Sequence, residues 1–144
     1  MAKGYKFIAN MQKLIPILLI GWAILVPAGG QTVPEGLTAA IAGGKADGMA
    51  EYFHQSLEMT ILGKDYMASK NQATRIMENF FKEHPPTDFR ISFEGAKEES
   101  KYAIGSLATE GGAFRVNLFF LNMEDKRLIY YLSIEKESEY ELQP

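Results

Sequence analysis

The chain has 144 residues, 47% of them hydrophobic, with no cysteine and a formal net charge of -3. This length suits one packed domain, and the composition excludes both a disordered chain and a disulfide-stapled scaffold. Lysine and arginine are neither in excess nor clustered, which argues against nucleic acid as a partner.

Residues 1–30 read as an export signal: Lys3, Lys6 and Lys13 make a basic start, Leu14 to Val26 is an uncharged apolar run, and Ala28-Gly29-Gly30 offers small residues for cleavage before Gln31. The run is interrupted by Pro16 and Gly21 and falls short of the ~20 residues a membrane-spanning helix needs, so no membrane association is expected after cleavage. Without cysteine no lipid can be attached at this site. Removing the three lysines leaves 12 basic residues against 18 acidic, a formal charge of -6. The mature domain, 31–144, is expected in the periplasm or outside the cell and must draw its stability from its core.

Pro34 to Ala42 predicts a short helix with Pro in its first turn, Glu35 near the positive end and Leu37, Ala40 and Ile41 inward. Gly43-Gly44 ends it. Asp47 begins a second short helix, closing near His54, with Met49, Ala50, Tyr52 and Phe53 as its apolar members. Leu57 to Leu62 alternates with the period of a half-buried strand, and Gly63 and Asp65 supply a turn.

Ser69 to Lys82 is the organising helix. Ser69 and Gln72 have the spacing of a capping box, and Ala73, Ile76, Met77, Phe80 and Phe81 fall on one face. Pro85 and Pro86 stop it. Four strands are predicted after it, at Asp88 to Glu94, Lys101 to Thr109, Ala113 to Asn122 and Arg127 to Lys136, joined by short polar links that favour an antiparallel meander. The acidic tail Glu137 to Pro144 is expected to fray.

Strand alternation places Phe89, Ile91, Phe93, Tyr102, Ile104, Phe114, Val116, Leu118, Phe120, Leu128, Tyr130, Leu132 and Ile134 toward the helix. The opposite face then holds Leu107, Phe119, Leu121, Ile129 and Tyr131 among polar residues, and is too apolar to be only solvated. On this reading Tyr102, Tyr130, Phe80 and Phe81 line any ligand cavity between helix and sheet, while Leu107, Phe119, Leu121, Ile129 and Tyr131 form a homodimer interface.

Two short helices, a strand, a capped helix and a four-strand meander is the order of the NTF2-like or cystatin-like cone. That is an α+β fold in which a curved antiparallel sheet of about five strands wraps a long helix. Pro34-Glu35-Gly36, the Leu57 to Gly63 strand, Ser69-x-x-Gln72-Ala73, Phe80-Phe81, Lys101-Tyr102-Ala103-Ile104-Gly105 and Phe114-Arg115-Val116 occur in this order. Together they resemble the DUF4783 family of small exported bacterial proteins. The resemblance implies the cone fold and an exported location, and no activity.

The residues point to no catalytic set. His54 and His84 lie 30 residues apart at helix ends, without metal-ligand spacing or a neighbouring nucleophile. Gly43-Gly44 and Gly111-Gly112 lack the pattern of a phosphate loop. Asp47, Glu51 and Asp65 are as well explained as caps or solvated positions, Glu58 points away from the helix, and Arg90 and Arg115 pair with nearby carboxylates. No metal or cofactor is expected. The leading reading is an exported, non-catalytic module that binds a small apolar ligand or a protein; the alternatives are an isomerase or lyase working in the cone, or a purely structural homo-oligomer.

Overall fold

The computed structural model describes residues 33–138, so the expected export signal, its expected cleavage site and the end of the acidic tail lie outside the described residues. Helix α1 (Glu35–Ala42) starts at Pro34, whose carbonyl accepts from the amides of Leu37 and Thr38 at 3.1 Å. It buries Leu37, Ala40 and Ile41, as the spacing predicts. Gly44 ends it at φ +65, where a Cβ would stand 2.9 Å from the Pro86 ring, so only glycine fits the turn without a shift.

Helix α2 (Ala46–Ala50) is shorter than predicted. Tyr52 to His54 leave the helix because the sheet claims them: the Ile129 amide donates to the Tyr52 carbonyl at 2.7 Å and Phe53 pairs with Ile129. A five-residue helix has almost no stability of its own to oppose this.

Strand β1 (Phe53–Ile61) buries Phe53, Leu57 and Met59. Leu62 and Gly63, at φ 51 and 83, then form a two-residue hairpin turn into β2 (Lys64–Ser69). Two consecutive positive φ values are what a tight hairpin needs. The segment expected to be only a turn is therefore a strand, with Ala68 buried and Met67 on the other side.

Helix α3 (Lys70–Glu83) has both halves of its capping box: the Gln72 amide donates to Ser69 Oγ at 3.2 Å, and the Ser69 amide to Gln72 Oε1 at 2.9 Å. Ala73, Met77, Phe80 and Phe81 are buried, and Ile76 packs at their edge. Its 14 residues span about 21 Å, so it is a short helix rather than a long one. Among the described residues no helix is long and apolar enough to cross a membrane.

Strands β3 (Pro86–Lys97), β4 (Ser100–Thr109), β5 (Gly112–Met123) and β6 (Lys126–Lys136) form the antiparallel meander. The sheet has six strands rather than five, in the order β2-β1-β6-β5-β4-β3, and it is mixed because β1 runs parallel to β6. Register shifts interrupt the β1–β6, β3–β4 and β5–β6 ladders; such bulges bend a strand and increase its twist.

The face assignment is corrected in β4, and locally in β3 and β6. Cross-strand partners share a face, and β4 pairs Ala103 with Leu118, Gly105 with Val116 and Leu107 with Phe114. Ala103, Gly105 and Leu107 face the helices, while Tyr102, Ile104 and Ser106 point away. The reason is space at the middle of the strand: a Cβ on Gly105 would come within 2.6 Å of the Phe89 ring, so position 105 cannot present a side chain inward. In β3 the bulge at Ser92 moves Phe93 outward to pair with Ile104. In β6 the bulge leaves Tyr130 between Ile129, which is buried, and Tyr131.

Candidate functional site

The space between the helices and the sheet is filled. Phe80 and Phe81 are 4% and 6% exposed, and the Phe80 ring centroid lies 5.3 Å from Phe114 and 4.9 Å from His84. Tyr102 and Tyr130, expected to meet Phe80 and Phe81 around a cavity, lie on the other face of the sheet. The four residues are not brought together.

That other face carries an open trough of about 770 Å³. Its size is that of small-molecule clefts. Three consecutive cross-strand pairs of β5 and β6 make its floor. Arg115 Nη2 donates to Glu135 Oε2 at 3.1 Å, Asn117 Nδ2 donates to Ser133 Oγ at 2.8 Å, and the rings of Phe119 and Tyr131 meet edge-on at 5.5 Å. The aromatic row continues through Tyr102, stacked on Phe119 at 5.7 Å, to Phe93 at 5.7 Å from Tyr102. Tyr130 joins it from the bulge, 6.2 Å from Phe119, with its hydroxyl 3.1 Å from Ser100 Oγ. The rings form a series across four strands on this face.

The β1 side of the trough is polar. Glu58 stands beside Tyr131, Met67 beside Glu58, and the His54 ring lies nearby with Nδ1 2.9 Å from the Ser56 carbonyl oxygen. His54 is thus held by its own strand rather than set against a hydroxyl nucleophile. Among the described residues no three His, Cys, Asp or Glu side chains stand close enough to hold a metal ion.

Of the expected interface residues, Phe119 and Tyr131 lie in the trough. Leu121 is half-buried beyond it, next to Leu128. Leu107 and Ile129 are in the core at 0% exposure, a correction that follows from the strand faces above. The sequence reading missed Met67, hidden in the segment taken for a turn, and placed Phe93 inward because the bulge at Ser92 leaves no local mark. These two are the most exposed large apolar residues described, at 70% and 51%. They stand on the two edge strands of the sheet.

Residues 34–135 match the model of the family described as "Domain of unknown function (DUF4783)". This chain belongs to the DUF4783 family. A crystal structure of a DUF4783 protein from Bacteroides ovatus is 31% identical over 76% of this chain and 100% of that one, with a TM-score of 0.72. Two more distant structures share the fold alone. An NTF-2-like protein of unknown function from Silicibacter pomeroyi is 16% identical over 72% of this chain and 88% of that one, with a TM-score of 0.55. A cystatin-like domain of unknown function from Nostoc punctiforme is 11% identical over 74% of each chain, with a TM-score of 0.59. No curated protein matches the sequence. The DUF4783 fold is therefore an NTF2-like, cystatin-like α+β domain, and in this chain the trough lies on the face of the sheet that carries no helix among the described residues, its helix-free face.

Proposed function

We propose that this protein is an exported, non-catalytic binding module whose working surface is the helix-free face of the sheet. The observation that carries the reading is the contrast between the two faces. Phe80 and Phe81 occupy the space between helix and sheet, where an isomerase or lyase would need a cavity, whereas Tyr102, Phe119, Tyr130 and Tyr131 line an open trough. A contiguous apolar patch rimmed by polar residues marks an interaction site in soluble proteins. Export rests on the basic start, apolar run and small residues of positions 1–30.

Hydroxyl-radical labelling in the cells that make the protein tests this. Tyr102, Phe119 and Tyr131 should be labelled several-fold less in cells than in purified protein at ~1 μM, a dilution that dissociates weak complexes. Exposed residues away from the trough, such as Arg75 on α3, should be labelled equally in both. Equal labelling of the trough residues in both samples would overturn the reading.

A further inference from the structure

We propose that the trough binds a small organic cation of the quaternary ammonium class at its aromatic end, beside Glu58. The proposal rests on the reading that the helix-free face is the working surface, and it adds the chemical class of the occupant.

The ring geometry suits a compact, charged guest. Tyr102 lies stacked along Phe119 at an interplanar angle of 21°, whereas the Tyr130 and Tyr131 rings are turned 68° and 84° from Phe119, with centroids 6.2 and 5.5 Å away. All four are half-buried and line the trough, so each keeps part of its surface toward it. Rings inclined in this way form a corner rather than a flat platform. A planar ligand needs a continuous platform to stack on. A rounded cation is instead held by several rings at once, because the face of an aromatic ring is the negative part of its quadrupole.

The charge of the corner agrees. Glu58 is exposed, lines the trough and stands beside Tyr131 in the β1–β6 ladder. Among the described residues it has no hydrogen bond or ion pair. The other carboxylate of the trough, Glu135, is bound to Arg115 at 3.1 Å and lies four residues beyond Tyr131 along β6, about 13 Å away. Arg115 is also the one lysine or arginine of the lining. The aromatic end therefore carries a negative charge that nothing beside it neutralises. A primary ammonium group would bring three N–H donors to be satisfied there. Glu58 is the one carboxylate at that end, and the Tyr130 hydroxyl is already 3.1 Å from Ser100 Oγ. A quaternary nitrogen brings no donor and needs only ring faces and an opposite charge. The trough, about 770 Å³, has room for such a group and the rest of a small molecule.

Choline, ethanolamine and 3,3-dimethylbutan-1-ol test this. Ethanolamine carries a primary ammonium in place of the quaternary one, and the alcohol is the neutral carbon isostere of choline. Each is titrated into the purified protein at constant ionic strength, and binding is read from the NMR shifts of the aromatic ring protons. Choline should bind on the order of tenfold more tightly than the neutral alcohol, and more tightly than ethanolamine, with its largest shifts at Tyr102, Phe119 and Tyr131. Glu58→Gln, a conservative change at an exposed position, should weaken choline several-fold and leave the alcohol unchanged. Phe119→Leu should narrow the preference for choline over the alcohol; if that variant does not fold, Glu58→Gln decides. Equal affinity for choline and the alcohol would overturn the cation, and equal affinity for choline and ethanolamine would overturn the quaternary class. No shift of the trough rings at ~10 mM choline would overturn the site. In each of these cases protection of Tyr102 and Tyr131 in cells would still uphold the working face, whereas absence of that protection would remove the working face however the probes bind.

Discussion

Replacing Phe80 by alanine tests the packing on which the assignment of the faces depends. Phe80 is 4% exposed and sits in a ring cluster, with centroids 5.9 Å from Phe81, 5.3 Å from Phe114 and 4.9 Å from His84. Truncation removes the transfer free energy of the ring and leaves a void. The neighbours are held by α3 and β5 and can refill it only in part. Losses for such Phe→Ala changes run at about 3–5 kcal/mol. With a urea m-value of about 1–3 kcal/mol per molar, the unfolding midpoint should fall by at least ~1 M in equilibrium unfolding followed by circular dichroism. Small domains have only about 5–15 kcal/mol in total, so Phe80→Leu, with an expected loss of about 1–2 kcal/mol, keeps the test readable if the alanine variant unfolds. A loss below about 1 kcal/mol for the alanine variant would mean that the helix side is loose, and the cone would again be a candidate cavity.

Three further outcomes follow from the same structure. Leu107→Ala, in the core at 0% exposure, should cost about 2–5 kcal/mol, whereas Phe119→Ser on the opposite face should cost the isolated monomer about 1 kcal/mol or less; denaturant midpoints measured at low protein concentration would reveal a reversed order. Ser69→Ala removes the hydroxyl that accepts from the Gln72 amide and should lower stability by about 0.5–2 kcal/mol in the same assay, while Ser69→Asp should retain most of it. The mature protein should begin near Gln31, and intact-mass spectrometry finding Met1 in the exported fraction would contradict the proposed signal.

The elements that were legible in the sequence are those fixed by local chemistry. Ser69, Gln72 and Pro85-Pro86 bracket α3 within a few residues of its observed ends, and the three- and four-residue spacing picks out its buried face. The strand β2 was hidden because Leu62-Gly63 lacks the Asn-Gly or Asp-Gly signature, although Leu62 adopts the positive φ that the turn requires. The parallel pairing of β1 with β6 joins residues about 75 positions apart, and nothing local specifies it. Strand faces failed in β4 for a physical reason. Bulk suggested that Tyr102 and Ile104 face the core, but the Phe89 ring already fills the space above Gly105. An alternation of small with large residues beside an aromatic strand was the available signal. The bulge at Ser92 shifts the side chains after it by one, the bulge at Tyr130 those before it, and register of that kind is settled by the neighbouring strand rather than by the residues themselves.

For the trough, the aromatic residues were visible in the sequence but were divided between two faces. Phe119 and Tyr131 were set outside, whereas Tyr102, Tyr130 and Phe93 were set inside. Bringing them into one row turns a filled cone and a modest patch into a filled cone and a single aromatic surface, and the account stands on that surface being covered in use. Labelling of Tyr102 and Tyr131 in cells, compared with labelling of purified protein at ~1 μM, measures this most directly. The account predicts that both residues are several-fold less reactive in cells, while Arg75 on α3 does not change. Trough residues equally reactive in both samples would contradict it.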